Sequence, residues 1–384
     1  MKRFRLLFLL LAFLFPLLSV PCEADDTIKI GLTLGLTGKY AEMSNMQMKG
    51  FKLWESDVNK KGGILGKKVQ VIIYDDKSDP LSAKSLYEQL IVKDAVDFVF
   101  GPYSSEITEA VLPVTEKYGY PMLVSGASAD RLWQKDYKNI FGVLMIASKY
   151  AVGFLEMLVK EDISHIAIVY ADDAFSVSIA DGTKKWAERF GLSVVLFEGF
   201  KKGTKDLSEI VAKARTSKAQ VLIVCGHLDE SIDMKNSLKK ADWHPRIYYA
   251  SVGPALQKFY DKLRDDVNFT FSSSHWEPYT KFPNSVEFTD SFLSAYKIMP
   301  SYHAAIAYAS GEILATAIKK AMSMDKDKIR DILSSMDTMT IIGRYGVNKA
   351  GVQIRHFNLV IQWQKGKKEI VWPKELRTAK PIFK

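Results

Sequence analysis

Residues 59–80 read NKKGGILGKKVQVIIYDDKSDP, and the order of the parts decides the fold. A loop that cradles phosphate follows a strand and opens a helix, so that backbone N–H groups at the helix N-terminus face the anion. Here the glycines precede the strand. Gly62 and Gly63 are predicted to end a helix, because glycine takes the left-handed position after a helix without a Cβ penalty, and Gly66-Lys67 to turn the chain. VQVIIY is short and β-branched, hence a strand. Asp79 then caps the next helix and Pro80 occupies its first position. The stretch is architecture, a helix-turn-strand-helix unit.

The chain has 384 residues, 47% hydrophobic and 25% charged, ordinary for a globular protein and long enough for two domains plus a leader. MKRFR followed by LLFLLLAFLFPLLSV is a charged n-region and an apolar run too short for a span of about 20 residues. A secretory signal over residues 1–24 is expected, cleaved after Ala24. A lipid anchor at Cys22 is the rival, which Pro21 disfavours. The expected compartment is the periplasm, and no later apolar run reaches about 18 residues. Without Cys22, Cys225 stands alone at the end of the strand QVLIVC, where a buried, inert thiol is expected. Net charge is +9; losing Lys2, Arg3, Arg5 and Glu23 leaves +7. The lysines are scattered singly and in pairs with no basic stripe interleaved with aromatics, which excludes nucleic acid as the partner.

Short apolar runs alternate with amphipathic stretches. IKIGLTL, VQVIIY, DFVFG and PMLVS, then HIAIVY, SVVLF, QVLIVC and RIYYAS, are separated by helical patterns near 44–60, 82–93, 105–117, 148–160, 178–190, 206–215 and 229–240. This alternation defines an α/β class with parallel sheets covered by helices. IIYDDKSD (72–79) and IVYADDAFS (168–176) both end a strand in an aromatic and paired aspartates, an echo of two similar lobes. After SSSHWEPY (272–279), helical patterns fill 285–335, followed by strand candidates RYGVN and HFNLVIQWQ. Helices without strands cannot form a lobe, so they are expected to return to the first sheet.

From Ile28 to about Trp363 the chain resembles the leucine/isoleucine/valine-binding family of type I periplasmic binding proteins, the solute receptors of ABC importers. The pieces that carry the resemblance are IGLTLGLTG, the 59–80 block, FGPYSSEIT, GASADRL, VYADDAFSVS and TIIGRYGVNKAGVQ followed by LVIQW. It implies two Rossmann-like lobes joined by three crossover strands near 143–148, 271–276 and 338–345, with residues 25–146 plus 274–341 in the N-terminal lobe and 147–273 plus 342–384 in the C-terminal lobe. Such a hinged trap closes on a small solute and is read by an ABC permease in the inner membrane; a monomer is expected, and no cofactor.

FGPYSSEIT ends a strand and opens a helix, placing Ser104, the Ser105 hydroxyl and neighbouring N–H groups at a positive helix end suited to a carboxylate; the plain alternative is that Ser105 is only an N-cap. By resemblance Ser105 is a carboxylate-binding serine, and Gly126, Ala127 and Ser128 form the loop that holds the ligand's polar head. Across the cleft the resemblance puts Phe175 where relatives carry a tyrosine, and His227 in another lining turn. Tyr103, Met43 and Trp276 are further candidates, with core or rim positions as the alternative. Ala147 and Ser251 stand where relatives carry acidic residues to meet an α-ammonium, whose burial unpaired costs several kcal/mol. Asp172, Asp173, Asp229 and Glu230 are possible substitutes, but each lies at a turn where solvation is expected. The expected ligand is therefore an aromatic or aliphatic organic acid; the alternative is a hydrophobic amino acid with a relocated ammonium partner.

An enzyme is not expected. The glycines Gly31, Gly35 and Gly38 do not form G-x-G-x-x-G, GASAD is not G-x-S-x-G, and metal spacings such as H-x-x-x-H or C-x-x-C do not occur. A sensor that reports occupancy to a separate signalling partner is the third reading.

Overall fold

The computed structural model describes residues 27–161 and 163–383; the expected leader and Cys22 lie outside them. The first sheet contains β1 (Thr27–Leu34), β2 (Lys68–Asp75), β3 (Phe98–Phe100), β4 (Met122–Val124) and β5 (Ile140–Gly142), all parallel, in the order β2-β1-β3-β4-β5. Its connections carry α1 (Ala41–Lys60), α2 (Pro80–Val92) and α3 (Ser105–Lys117). The 59–80 block folds as its sequence requires. Gly62 and Gly63 take φ of 91° and 80° after α1, Gly66 turns the chain at 81°, and the Asp79 carboxylate accepts the Ser82 N–H at 2.7 Å with Pro80 opening α2. Asp75 and Asp76 extend its reach. Asp75 accepts the Thr37 hydroxyl at 2.8 Å, and the buried Asp76 accepts the Thr33 hydroxyl at 2.7 Å, so the end of β2 holds the β1–α1 loop in place.

The second sheet gathers α4 (Val152–Val159), β6 (His165–Ala171), α5 (Ala174–Arg189), β7 (Ser193–Phe200), α6 (Ser208–Thr216), β8 (Val221–Cys225), α7 (Leu228–Lys240), β9 (Ile247–Ala250), α8 (Gln257–Leu263) and β10 (Thr270–Ser274). On β6, Ile166 and Ile168 enter one core cluster while Ala167 and Val169 enter another. Burial on both faces is what a parallel strand between helix layers demands. Cys225 is fully buried there, and burial pushes its thiol well above the usual range.

Helices α9 (Ser285–Tyr296), α10 (Tyr302–Ala321) and α11 (Lys326–Ser335) return to the first lobe, where α10 packs on α1 and β4. A Cβ at Gly50 in α1 would sit 2.1 Å from the carbonyl oxygen of Ala304 in α10, so only glycine permits this approach of two backbones. The RYGVN strand is shorter than expected and joins neither large sheet: β11 (Thr338–Thr340) and β12 (Gly343–Tyr345) form their own antiparallel ribbon. The chain then reaches the second sheet through β13 (Leu359–Gln364) and β14 (Lys367–Trp372), antiparallel neighbours at its edge, giving the order β14-β13-β10-β9-β8-β6-β7. The strands joining the lobes are laced together. Gly142 N–H donates to Gly351 O at 2.8 Å, Ser273 Oγ to Tyr150 O at 2.7 Å, and His275 Nδ1 lies 3.3 Å from His356 Nε2.

Candidate functional site

The turn after β3 brings Tyr103 alongside Gly126 in an isolated parallel bridge, which joins the two loops that close the first lobe. The N-cap of α3 is Ser104 rather than Ser105, so the reading of Ser105 as an N-cap is corrected. Its hydroxyl instead accepts the N–H groups of Ser128 at 3.2 Å and Ala129 at 3.1 Å, tying the helix start to the 126–128 loop. Ser104 Oγ caps nothing, is buried, and has no hydrogen-bond partner. The Ser128 hydroxyl pairs with Tyr150 OH at 2.9 Å.

From the other lobe, Phe175 in the first turn of α5 meets Tyr150 edge-on with ring centres 5.6 Å apart and lies 4.9 Å from the ring of His227. His227 precedes α7, and its N–H is held by Glu230 Oε2 at 3.0 Å. Tyr103, Ser104, Ser105, Gly126 and Ser128 of the first lobe, Tyr302 and His303 of α10, and Tyr150, Phe175 and His227 all face one buried cavity of about 20 Å³ between the lobes. Among the described residues no carboxylate lines it. Larger depressions of about 620 Å³, along α5, and about 320 Å³, beside α7, are surface grooves lined by charged and polar side chains. The buried cavity, where both lobes contribute side chains and a hydroxyl lacks a partner, is the candidate site.

A second depression of about 190 Å³ lies at its outer edge, where Tyr40, Met43, Lys202 and Lys258 surround the other side of His227. Lys202 Nζ crosses from the turn after β7 to donate to Tyr40 OH at 3.0 Å and stands 3.2 Å from Asp173 Oδ2. Burial would raise the Asp173 carboxyl, but the neighbouring His227 ring, the charge of Lys202 and the Ser176 hydroxyl hold it well below the usual carboxylate range. Burial likewise pulls Lys202 down, but Asp173 and Tyr40 outweigh it and push the ammonium up to about 12. Burial depresses His303 to about 3, so it faces the cavity as a neutral ring.

Several sequence candidates stand elsewhere. Trp276 is fully buried in the first lobe, donating Nε1–H to Ser285 Oγ at 2.8 Å beside Phe288, and does not line the cavity. Ser251 exchanges hydrogen bonds with Gly226 at 2.7 and 3.0 Å and shapes the turn before His227. Ala147 and Ala127 are buried just behind the wall, the Ala147 N–H donating to Ser128 O at 2.7 Å. Met43 reaches only the outer depression. Asp172 and Asp229 are exposed as expected, whereas Asp173 is only partly exposed beside Lys202 and Glu230 is buried against the His227 N–H, against the expectation of solvation. Sequence reasoning missed Tyr40, Tyr150, Tyr302 and His303. The aromatic ending of FGVLMIASKY at a crossover was a usable sign for Tyr150; the others converge only through the return of α10 and the β1–α1 loop.

Two α/β lobes with a small buried junction lined from both sides are the arrangement of a two-lobed solute receptor. The chain belongs to the family described as Periplasmic binding protein, whose profile matches residues 27–368. It is 26% identical over 346 residues, covering 89% of this chain and 91% of the relative, to the leucine-, isoleucine-, valine-, threonine-, and alanine-binding protein of Pseudomonas aeruginosa. Among solved structures it is similar to the branched-chain amino acid transporter substrate binding protein of Streptococcus pneumoniae in complex with isoleucine, with a TM-score of 0.81 and 22% identity over 89% of this chain and 98% of that one. A solute binding protein of an ABC transporter from R. palustris, in complex with benzoate, gives 0.79 and 18% over 90% and 95%.

Proposed function

We propose that this receptor captures a small organic acid without an α-ammonium group and delivers it to an ABC permease, with the lobes divided as 25–146 plus 274–341 and 147–273 plus 342–384. The observation that carries the reading is the lining itself: hydroxyls and a helix N-terminus suited to a carboxylate, aromatic walls on the other sides and, among the described residues, no carboxylate to pair with a buried ammonium. The benzoate-bound neighbour lends it support. A cavity of about 20 Å³ holds little more than one water, so admission of a solute requires the lobes to part. The amino acid-binding relative favours a second reading, a hydrophobic amino acid. Thermal shifts of the purified protein with benzoate, 4-methylpentanoate, leucine and phenylalanine decide between them, because a ligand at a hundred times its Kd adds about 2.7 kcal/mol of stability. Shifts by the two acids are expected; shifts by the amino acids alone would overturn the proposal.

A further inference from the structure

Asp173 sits directly behind the wall of the cavity. Its Oδ1 lies 3.6 Å from Nε2 of His227, and that nitrogen is buried with no hydrogen-bond partner. The same carboxylate accepts the N–H groups of Phe175 at 3.1 Å and Ser176 at 3.2 Å and the Ser176 hydroxyl at 2.7 Å. These bonds are the local work of a helix N-cap and leave its negative charge in place. Of the two basic groups beside it, His227 and Lys202, the lysine is the one that brings a fixed positive charge. Its ammonium is 3.2 Å from Oδ2, with side-chain exposures of 20% and 10% for the pair, and the bond to Tyr40 OH anchors it on the opposite lobe whenever the lobes are together.

We infer that Lys202 is a specificity-determining residue: by neutralising Asp173 behind His227, and adding a cation at the rim, it denies a solute's α-ammonium the anion that would stabilise it. The inference rests on the acid-binding reading above and names the residue that enforces it. Charge pairs with little water between them interact far more strongly than in bulk solvent. Removal of the lysine charge therefore exposes the cavity to the field of Asp173, one imidazole ring away.

The test uses leucine and 4-methylpentanoate, which differ only in the ammonium group, and calorimetric titration of the wild type, Lys202→Met, Lys202→Gln, Lys202→Arg and the double variant Lys202→Met/Asp173→Asn. Asparagine retains the cap while removing the charge. In Lys202→Met the affinity ratio of leucine to 4-methylpentanoate is expected to rise at least tenfold, with Lys202→Arg unchanged and the double variant returned to the wild-type ratio. Lys202→Gln serves if the methionine variant does not fold by circular dichroism. A rise below tenfold in the folded variant, or a double variant that keeps the gain, overturns the role of Lys202. A wild type that prefers leucine removes the acid-binding reading itself, a result distinct from an acid-preferring wild type whose ratio Lys202→Met does not move.

Discussion

The hydroxyl of Tyr103 lies 3.3 Å from Nδ1 of His227, a hydrogen bond between the two lobes made at the wall of the buried cavity. It exists only while the lobes are together, so its free energy belongs to closure. Tyr103→Phe keeps the ring against Tyr40 and His303 and removes only this bond, worth about 1 kcal/mol. Solute dissociation measured by stopped-flow fluorescence should quicken about fivefold with little change in melting temperature. An unchanged dissociation rate would show that closure does not use the pair.

Two adjacent serines should respond in opposite ways. Ser105→Ala leaves the buried N–H groups of Ser128 and Ala129 without their acceptor, a loss of about 1–3 kcal/mol, and should lower both the melting temperature and the affinity. Ser104→Ala deletes a buried hydroxyl that has no partner, so the free protein should be as stable as wild type or more so while the solute binds more weakly. Equal loss of stability in both variants would contradict this division.

The hinge histidines make stability pH-dependent. Burial lowers His275 well below the usual range and His356 to about 4. A base that is neutral when folded but charged when unfolded contributes stability that is complete above about 6.5 and is lost as pH falls toward 4. Urea unfolding at pH 7.5 and 4.5 should show His356→Gln losing less stability on acidification than the wild type, by about 2–3 kcal/mol. Parallel losses in the two proteins would exclude the hinge pair.

Asp76 has the reverse sign. Burial raises its carboxyl to about 6 despite the bonds from Thr33 and Ser78. A raised carboxyl contributes most below its unfolded value near 3.8, and that contribution disappears as pH rises through 6. Asp76→Asn should therefore stabilise the protein by about 2 kcal/mol at pH 8 and by little at pH 4, read from chemical melts. A gain independent of pH would refute the charge argument.

The lobes were legible because β-branched runs alternate with amphipathic helices, and because the caps and turns of the 59–80 block are local events. Strands β5 and β14 and helix α8 escaped notice, and β10 was read only as a crossover. TFSSS is a strand whose serines are buried by neighbours rather than by their own hydrophobicity. The serine and glycine turns of the site could be placed because they sit at the ends of strands. His303 and Tyr40 could not, since nothing in their own segments tells that α10 and the β1–α1 loop meet over His227. Asp173 misled for a related reason: a turn aspartate looks solvated until a lysine 29 positions away is folded onto it.

The contact at Gly50 also bears on how such a receptor changes its diet. Tyr40 leads into α1, and His303 stands next to the Ala304 carbonyl that touches it. With the two backbones in direct contact, neither helix can slide to make room for a bulkier guest. Retuning this wall must come from exchanging side chains on a fixed frame, which makes it a tractable place for redesign.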